Sequence, residues 1–393
     1  MKAVYFGGDI TNPTVILRIR SFLTAGLNVT SFTFRRRKFN ADFQPTWPNI
    51  HLGETVDRRY SRRFFSIIRG CWIVAQNRSE FEGVDFLYAR MIDMALIAQF
   101  AKWWFRLDAK LIYDLEDVQA IFFKKTITGQ FYRWLERWLL KRTQLVVAMS
   151  PGFVRGYLKP VQGYMGPVFI LENKLQLAEP VPAPSPAAHE WRTIRDRWVI
   201  GWFGTLRCPR SMTLLAEIAE RLGDRVEIQT RGFPTETGLE AYLAVVNAHP
   251  NWRYGGEYRI PDDLEEMYGR VHFSWCLDFL DAGGNSDLLL ACRMYQGGYY
   301  GSVPLVAKGS EMDRFLSPHG IGHAMAEPIA DSVVAFLEKL TWDDYERERE
   351  RVASLGRELF LDTGQDVQRL ISVIQQLPVA RPLQRADYFR RRA

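Results

Sequence analysis

Short apolar runs alternate with amphipathic stretches along the chain. The first run, residues 2–6, has the length and composition of a buried strand and empties into Gly7-Gly8-Asp9. Asn12 stands where a helix needs a cap, Pro13 takes the first helical position, and Gly26 supplies the stop. A second run over 27–34 completes a βαβ unit, the start of a parallel sheet. Runs at 84–88, 109–113, 144–149 and 168–172 predict further strands with helices between them. The pattern then begins again. Strands are predicted at 198–203, 226–230, 252–254, 271–277 and 303–307, and helices over 211–222, 264–268, 329–340 and 343–376. Between the two series lies AEPVPAPSPAAHE (178–190), too rich in Pro and Ala to belong to either. The expected fold class is α/β, with two Rossmann-like domains at 1–177 and 198–372. A linker at 178–197 joins them, and a basic tail at 373–393 is able to return to the first domain.

Charge divides the two series. The 393 residues carry 51 Lys and Arg against 45 Asp and Glu, a net +6. Residues 1–160 hold 25 basic against 13 acidic residues, a net +12, and residues 161–393 hold 26 against 32, a net −6. A basic half suits an anionic membrane surface, an acidic ligand or nucleic acid. Basic and aromatic residues interleave in it three times. Arg35–Lys38 precede Arg58, Arg59, Arg62, Arg63 and Arg69, which stand among Phe64, Phe65, Ile67, Ile68 and Trp72. The texture returns at Lys102–Arg106 and again in FFKKTITGQFYRWLERWLLKRT (122–143). There Arg133, Arg137 and Lys141 recur every fourth residue, with Phe131, Trp134, Leu135, Trp138 and Leu139 on the opposite helical face. This predicts contact with an anionic membrane surface. No nucleic-acid motif is present, so nucleic acid is not an expected partner.

No apolar run of about 18 residues predicts a membrane-crossing helix. The apolar part of MKAVYFGGD is too short for a signal peptide. Cys71, Cys208, Cys276 and Cys292 form no CxxC pair, so free thiols in a reducing compartment are expected. The histidines show no zinc spacing, and no metal is expected.

The chemistry centres on DAGGNSDLLLACRMYQGGYYGSVP, residues 281–304. Gly283 and Gly284 open a loop, Asn285 and Ser286 are placed to cap a helix, and the pattern predicts a helix from Asp287 to Tyr295, stopped by Gly297-Gly298. Such a helix start offers unpaired N–H groups to an anion, and glycine lets the anion come close. Ser286, Leu289, Arg293 and Gln296 would share one face, with Arg293 toward a phosphate and Gln296 toward a ribose hydroxyl. A second cluster, Asp114-Leu115-Glu116-Asp117, stands at the C-terminal end of a strand, the edge where open α/β sheets bind ligands. Crowded carboxylates suit a general base, and an acid-dressed helix start would read the same way. Asp9 ends the first strand on that edge.

These residues resemble those of GT-B glycosyltransferases. GWFGTL (201–206), YGGEYRIPDDLEEMY (254–268) and the loop–helix–GSVPLVA stretch ending at Ala307 look like their donor domain, and VVAMSPGF (146–153) looks like the step that closes their acceptor domain. The resemblance covers most of the chain in unbroken order and implies two domains facing across a cleft. Retaining members carry two glutamates with seven residues between them. Here Leu288 and Gln296 occupy those places. The similarity is to inverting bacterial exopolysaccharide transferases of the xanthan glucuronosyltransferase and succinoglycan types. Their strand ending in Tyr-x-x-x-Asp is matched by Tyr113–Asp117, which implies Asp117 as catalytic base, with Glu116 and Asp9 in reserve and Gly7, Gly8 and Asp114 toward the acceptor. Their donor helix is matched by Arg293 and Gln296, and their base-holding turn by Gly256-Glu257-Tyr258. Gly204, Arg207, Arg210, Gly283, Gly284, Asn285 and Ser286 complete the implied donor site.

The implied activity moves a sugar from a nucleotide-sugar, a UDP-sugar, to a lipid-linked or polysaccharide acceptor in exopolysaccharide synthesis, with no cofactor and no metal. The implied place is cytoplasmic, peripheral to the inner face of the plasma membrane. Four other readings stay open from the residues: a retaining GT-B transferase, a GT-A transferase with Asp114 and Glu116 on a metal, a UDP-sugar 2-epimerase, and a basic scaffold that binds membrane or nucleic acid without turnover.

Overall fold

The computed structural model describes residues 1–36, 40, 42–55, 60–177 and 195–378. Most of the expected linker and tail lie outside these residues, as do Arg37, Lys38, Arg58 and Arg59 and the side chains of Arg62 and Arg63. The chain forms two compact units, each built on one parallel sheet.

The first unit has seven strands in the order β3-β2-β1-β4-β5-β6-β7. They are β1 (Lys2–Gly7), β2 (Asn28–Arg35), β3 (Asn49–Glu54), β4 (Phe86–Arg90), β5 (Lys110–Leu115), β6 (Leu145–Ala148) and β7 (Val168–Ile170). All adjacent pairs are parallel, so helices cover both faces and the central strands read as nearly unbroken apolar runs. Asn12 caps α1 (Pro13–Thr24) by accepting from the Thr14 N–H, as its position predicts. Right-handed crossovers put α1 on one face and α2 (Tyr60–Gln76), α3 (Met91–Trp104) and α4 (Ile127–Leu140) on the other, with α3 packed against both neighbours.

The second unit has six parallel strands in the order β10-β9-β8-β11-β12-β13. These are β8 (Trp198–Thr205), β9 (Val226–Phe233), β10 (Trp252–Tyr254), β11 (Phe273–Trp275), β12 (Val303–Ala307) and β13 (His323–Met325). Its helices are α5 (Pro209–Leu222), α6 (Leu239–Asn247), α7 (Leu264–Gly269), α8 (Asn285–Leu288), α9 (Cys292–Tyr299), α10 (Glu311–Leu316), α11 (Ile329–Lys339) and α12 (Trp342–Ser354). The short edge strands β3 and β13 and helix α6 have no counterpart in the apolar pattern.

The helix expected over 343–376 is divided. After α12 the chain turns at Arg357–Leu359, passes Gly364 at φ +76, and forms α13 (Gln365–Gln376). This last helix belongs to the first unit, which comprises Met1–Glu172 and the chain from Gly364 onward. Val367, Leu370 and Ile374 join Phe22 of α1 in one apolar cluster. The buried Lys110 ammonium donates to the carbonyls of Ile374 (2.6 Å) and Gln375 (3.0 Å), placing a cation at the C-terminal end of α13. The first crossing also differs from expectation. Leu175, within the expected first domain, already bridges to Leu361 in the second unit.

Candidate functional site

In the second unit the sheet brings its candidate residues to the C-terminal ends of β8, β9 and β11. Gly204 (φ +113) and Gly232 (φ +127) lie side by side there, and a Cβ on Gly232 would stand 1.8 Å from the Gly204 carbonyl oxygen. Only glycine allows that approach. The following loop carries Arg207. Beyond β11 the chain reaches Asp278, whose side chain is 1% exposed. Its Oδ2 accepts from Arg207 Nε at 2.8 Å and lies 3.6 Å from Arg293 Nη2. Its Oδ1 accepts from the Leu280 N–H (3.0 Å) and the Ser286 hydroxyl (3.1 Å). Burial works against a charge on Asp278, and the Arg207 and Arg293 guanidiniums with these hydrogen bonds outweigh it, so the carboxyl is held below its usual range. One carboxylate thus gathers two cations, and the pair keeps a positive excess.

The other donor-site candidates fall into two groups. Tyr258 stands with Gly204, since a Cβ on that glycine would lie 3.8 Å from its hydroxyl. Burial pushes the Tyr258 phenol up to about 12, with the Arg293 charge opposing. Glu257 is exposed, and its carbonyl accepts from Arg231 Nη2 at 2.7 Å. Gly283 takes φ +79 with its N–H on Asp287, Gly284 is buried next to it, and Asn285 and Ser286, also buried, form the first turn of α8 and do not cap it. Two side chains are committed elsewhere. Arg210 pairs with Glu327 at 2.6 Å and lies over the Phe279 ring. Gln296 is buried and accepts from the Tyr268 hydroxyl at 3.1 Å, so it serves the core.

The expected helix from Asp287 to Tyr295 is also two helices. The four-residue α8 ends at Leu288, residues 289–291 run on as a break, and α9 starts at Cys292. Ser286 and Arg293 meet through Asp278 and not along one helical face. Gly297 and Gly298 do not stop α9 but lie inside it, where a Cβ would strike Ser274 Oγ at 2.8 Å or the Phe360 ring at 2.3 Å. They are close-packing glycines.

In the first unit Arg90 ends β4, and the next residue, Met91, turns at φ +67, unusual for a residue with a side chain. Arg90 is 2% exposed. Its Nη2 lies 2.5 Å from Glu116 Oε1 and its Nε 3.9 Å from Asp114 Oδ2. The Thr14 hydroxyl also lies 2.9 Å from Glu116 Oε1. Asp114 is fully buried, and burial raises its pKa against the Arg90 charge, so its carboxyl faces the interior and not an acceptor. Gly7 is buried against Tyr5, Val15 and Thr33, and Gly8 is half-buried beside Arg36. Asp9 Oδ1 accepts from the Thr11 N–H (3.0 Å), the Thr11 hydroxyl (2.8 Å) and the Arg36 N–H (3.2 Å). Asp117 is exposed beyond the end of β5. Among the described residues no group of three or more His, Cys, Asp and Glu stands together as a metal site.

The residues not picked out from the sequence are Asp278 and Arg90. Asp278 follows an apolar run just as Asp9 and Asp114 do, so its signal was available. Arg90 carried none, since a strand-end arginine reads as surface.

Asp278→Asn keeps the volume and removes the countercharge. Because the folded carboxyl sits below its usual pKa, its stabilisation is present above the ordinary carboxylate range and is lost as pH falls through the folded value. The variant should be less stable than the parent by about 1.5–3 kcal/mol at neutral pH, the scale of charge-assisted hydrogen bonds. Urea midpoints should converge in strongly acidic buffer, and a gap independent of pH would refute the ion-pair account.

No family model matches the chain. It is 31% identical over 391 residues to the succinoglycan biosynthesis protein ExoL of Rhizobium meliloti (strain 1021), spanning 97% of this chain and 95% of that protein. Among solved structures it is similar to a sucrose-phosphate synthase from Thermosynechococcus elongatus, with a TM-score of 0.73, 12% identity and coverage of 95% and 99%. Anabaena HepE in complex with UDP gives 0.69, 10% identity and coverage of 96% and 100%. The lipopolysaccharide outer core galactosyltransferase WaaB gives 0.65, 13% and coverage of 96% and 100%. At these identities the structures speak for the fold alone. The chain belongs to the family of the succinoglycan biosynthesis protein ExoL and has the two-domain α/β fold of GT-B glycosyltransferases.

Proposed function

We propose that this protein is a glycosyltransferase that moves a sugar from a UDP-sugar to a lipid-linked or glycan acceptor in exopolysaccharide synthesis, at the cytoplasmic face of the membrane and with inversion. The observation that carries this reading is the Arg207–Asp278–Arg293 cluster beside Gly204, Tyr258 and the Gly283 loop. Two guanidiniums with one countercharge suit a diphosphate. The relative's name speaks of succinoglycan biosynthesis, and HepE was solved with UDP and with UDP and glucose, which agrees with it.

In this reading the acceptor hydroxyl gives its proton to the Asp117 carboxylate while its oxygen attacks the anomeric carbon. The bond from that carbon to the β-phosphate oxygen breaks on the opposite side, and its electron pair leaves with UDP. Arg207 and Arg293 stabilise the charge that develops there. Exposure favours Asp117 as the base.

Three outcomes test the parts separately. Arg293→Ala should weaken UDP binding by about 1.5–3 kcal/mol in calorimetry, and unchanged affinity would remove Arg293 from the site. Asp117→Asn should cut turnover ~10²–10⁴-fold with donor binding nearly intact. Retained activity, with loss in Glu116→Gln or Asp9→Asn, would move the base to that residue. Turnover should survive EDTA, because guanidiniums supply the charge that a metal would. Activity lost to EDTA and restored by Mn²⁺ would overturn that point.

A further inference from the structure

Helix α4 buries Leu139 and Leu140 together with an acid, Glu136, and turns its N-terminal apolar side chains to solvent. Ile127, Phe131 and Trp134 are 87%, 54% and 58% exposed, and the two rings stack at 5.9 Å. Glu136 is fully buried, where it accepts from Tyr113 (2.6 Å), Tyr157 and Gln162 (2.5 Å). Exposed aromatics and a buried acid within two turns reverse the usual placement on an amphipathic helix. The buried acceptor fixes the rotation of α4, so the outward aromatics are a built feature. The same layer adds Phe64, Phe65, Ile68 and Trp72 on α2, each more than half exposed, and Trp103 and Trp104 at the end of α3. Of the eleven large apolar side chains more than half exposed among the described residues, nine are on these three helices.

Charge indicates what covers α4. Between Val118 and Thr143 the only acid is the buried Glu136, while Lys124, Lys125, Arg133, Arg137, Lys141 and Arg142 supply six cations. Ile127, Phe131 and Trp134 share one shallow groove with Gln130, Arg133 and Arg137. We infer that the outward face of α4 inserts into an anionic lipid surface, with Ile127, Phe131 and Trp134 entering the interface and the lysines meeting lipid phosphates. Aromatic side chains favour that depth, and nearby cations add attraction to the lipid phosphates.

The two contributions separate, because they rest on different residues. Arg133 Nη1 donates to the carbonyls of Phe122 and Lys124, and Arg137 Nη2 to that of Val161, all at 2.7 Å. These arginines hold the fold as well as charge, so they make poor probes. Lys124, Lys125, Ile127, Phe131 and Trp134 are exposed and make good ones.

The test is flotation of the full chain with phosphatidylcholine vesicles, with and without phosphatidylglycerol, at low and high salt. Neither donor nor acceptor is needed, so the result is independent of the transferase reading. The parent should float with anionic vesicles and retain a salt-resistant fraction. Ile127→Ser/Phe131→Ser/Trp134→Ser should lose that fraction, with partition at least roughly tenfold weaker, while melting temperature and UDP affinity stay unchanged. Lys124→Gln/Lys125→Gln should lose chiefly the salt-sensitive part. Parent-like flotation of the triple serine variant would overturn the inference. So would failure of the parent to float, including the case in which the triple variant only abolishes self-association in sedimentation.

Discussion

Two arginines drawn to one place repel each other, and something must hold them together. In the second unit that is Asp278. Its near-complete burial would ordinarily neutralise it, yet Arg207 and Arg293 keep it ionised, and it keeps them in place. Four segments depend on this one carboxylate: the loop after β8 through Arg207, the end of the β11 run through Asp278, the glycine loop through Ser286, and α9 through Arg293. The break between α8 and α9 fits the same constraint. It lets the Ser286 hydroxyl and the Arg293 guanidinium both reach Asp278, from opposite sides of residues 289–291.

The first unit uses the inverse arrangement. One buried cation, Arg90, is set between Asp114 and Glu116. Burying a carboxylate is tolerable only with a partner, and Arg90 serves both while leaving the next acid, Asp117, exposed at the loop. This sorts four acids that look alike in sequence. Asp114 is interior, Glu116 meets Arg90, Asp9 closes a turn on Thr11, and Asp117 is exposed.

Most of the architecture was legible because parallel strands buried on both faces leave continuous apolar runs, and caps such as Asn12-Pro13 mark helix starts in sequence. What escaped depended on contacts between distant residues. The return of α13 to the first unit depends on Phe22 and Lys110, far from it in the chain. Gly297 and Gly298 read as a stop by local rules but are set by the crowding of Ser274 and Phe360. Gln296 looked like a ligand group, and the hydroxyl of Tyr268 claims it. For α4 the apolar period correctly gave a two-faced helix but could not say which face looks inward, since the Tyr113, Tyr157 and Gln162 donors that draw Glu136 into the core lie on other segments.

The charge asymmetry then takes a different meaning. A surplus of twelve positive charges in residues 1–160 first suggests a strongly basic binding site. At the strand ends of the first unit Arg90 pairs with Glu116 near Asp114, and Arg36 stands beside Gly8 and Asp9. That edge mixes cations and acids. The segment around α4, with six cations against the one buried Glu136, carries a substantial part of the surplus beside the exposed aromatics. A field of that kind acts at a distance and without regard to sequence or sugar. Charges packed against Asp278 act at contact, so the same residue type supplies a long-range field in one unit and a short-range ion pair in the other.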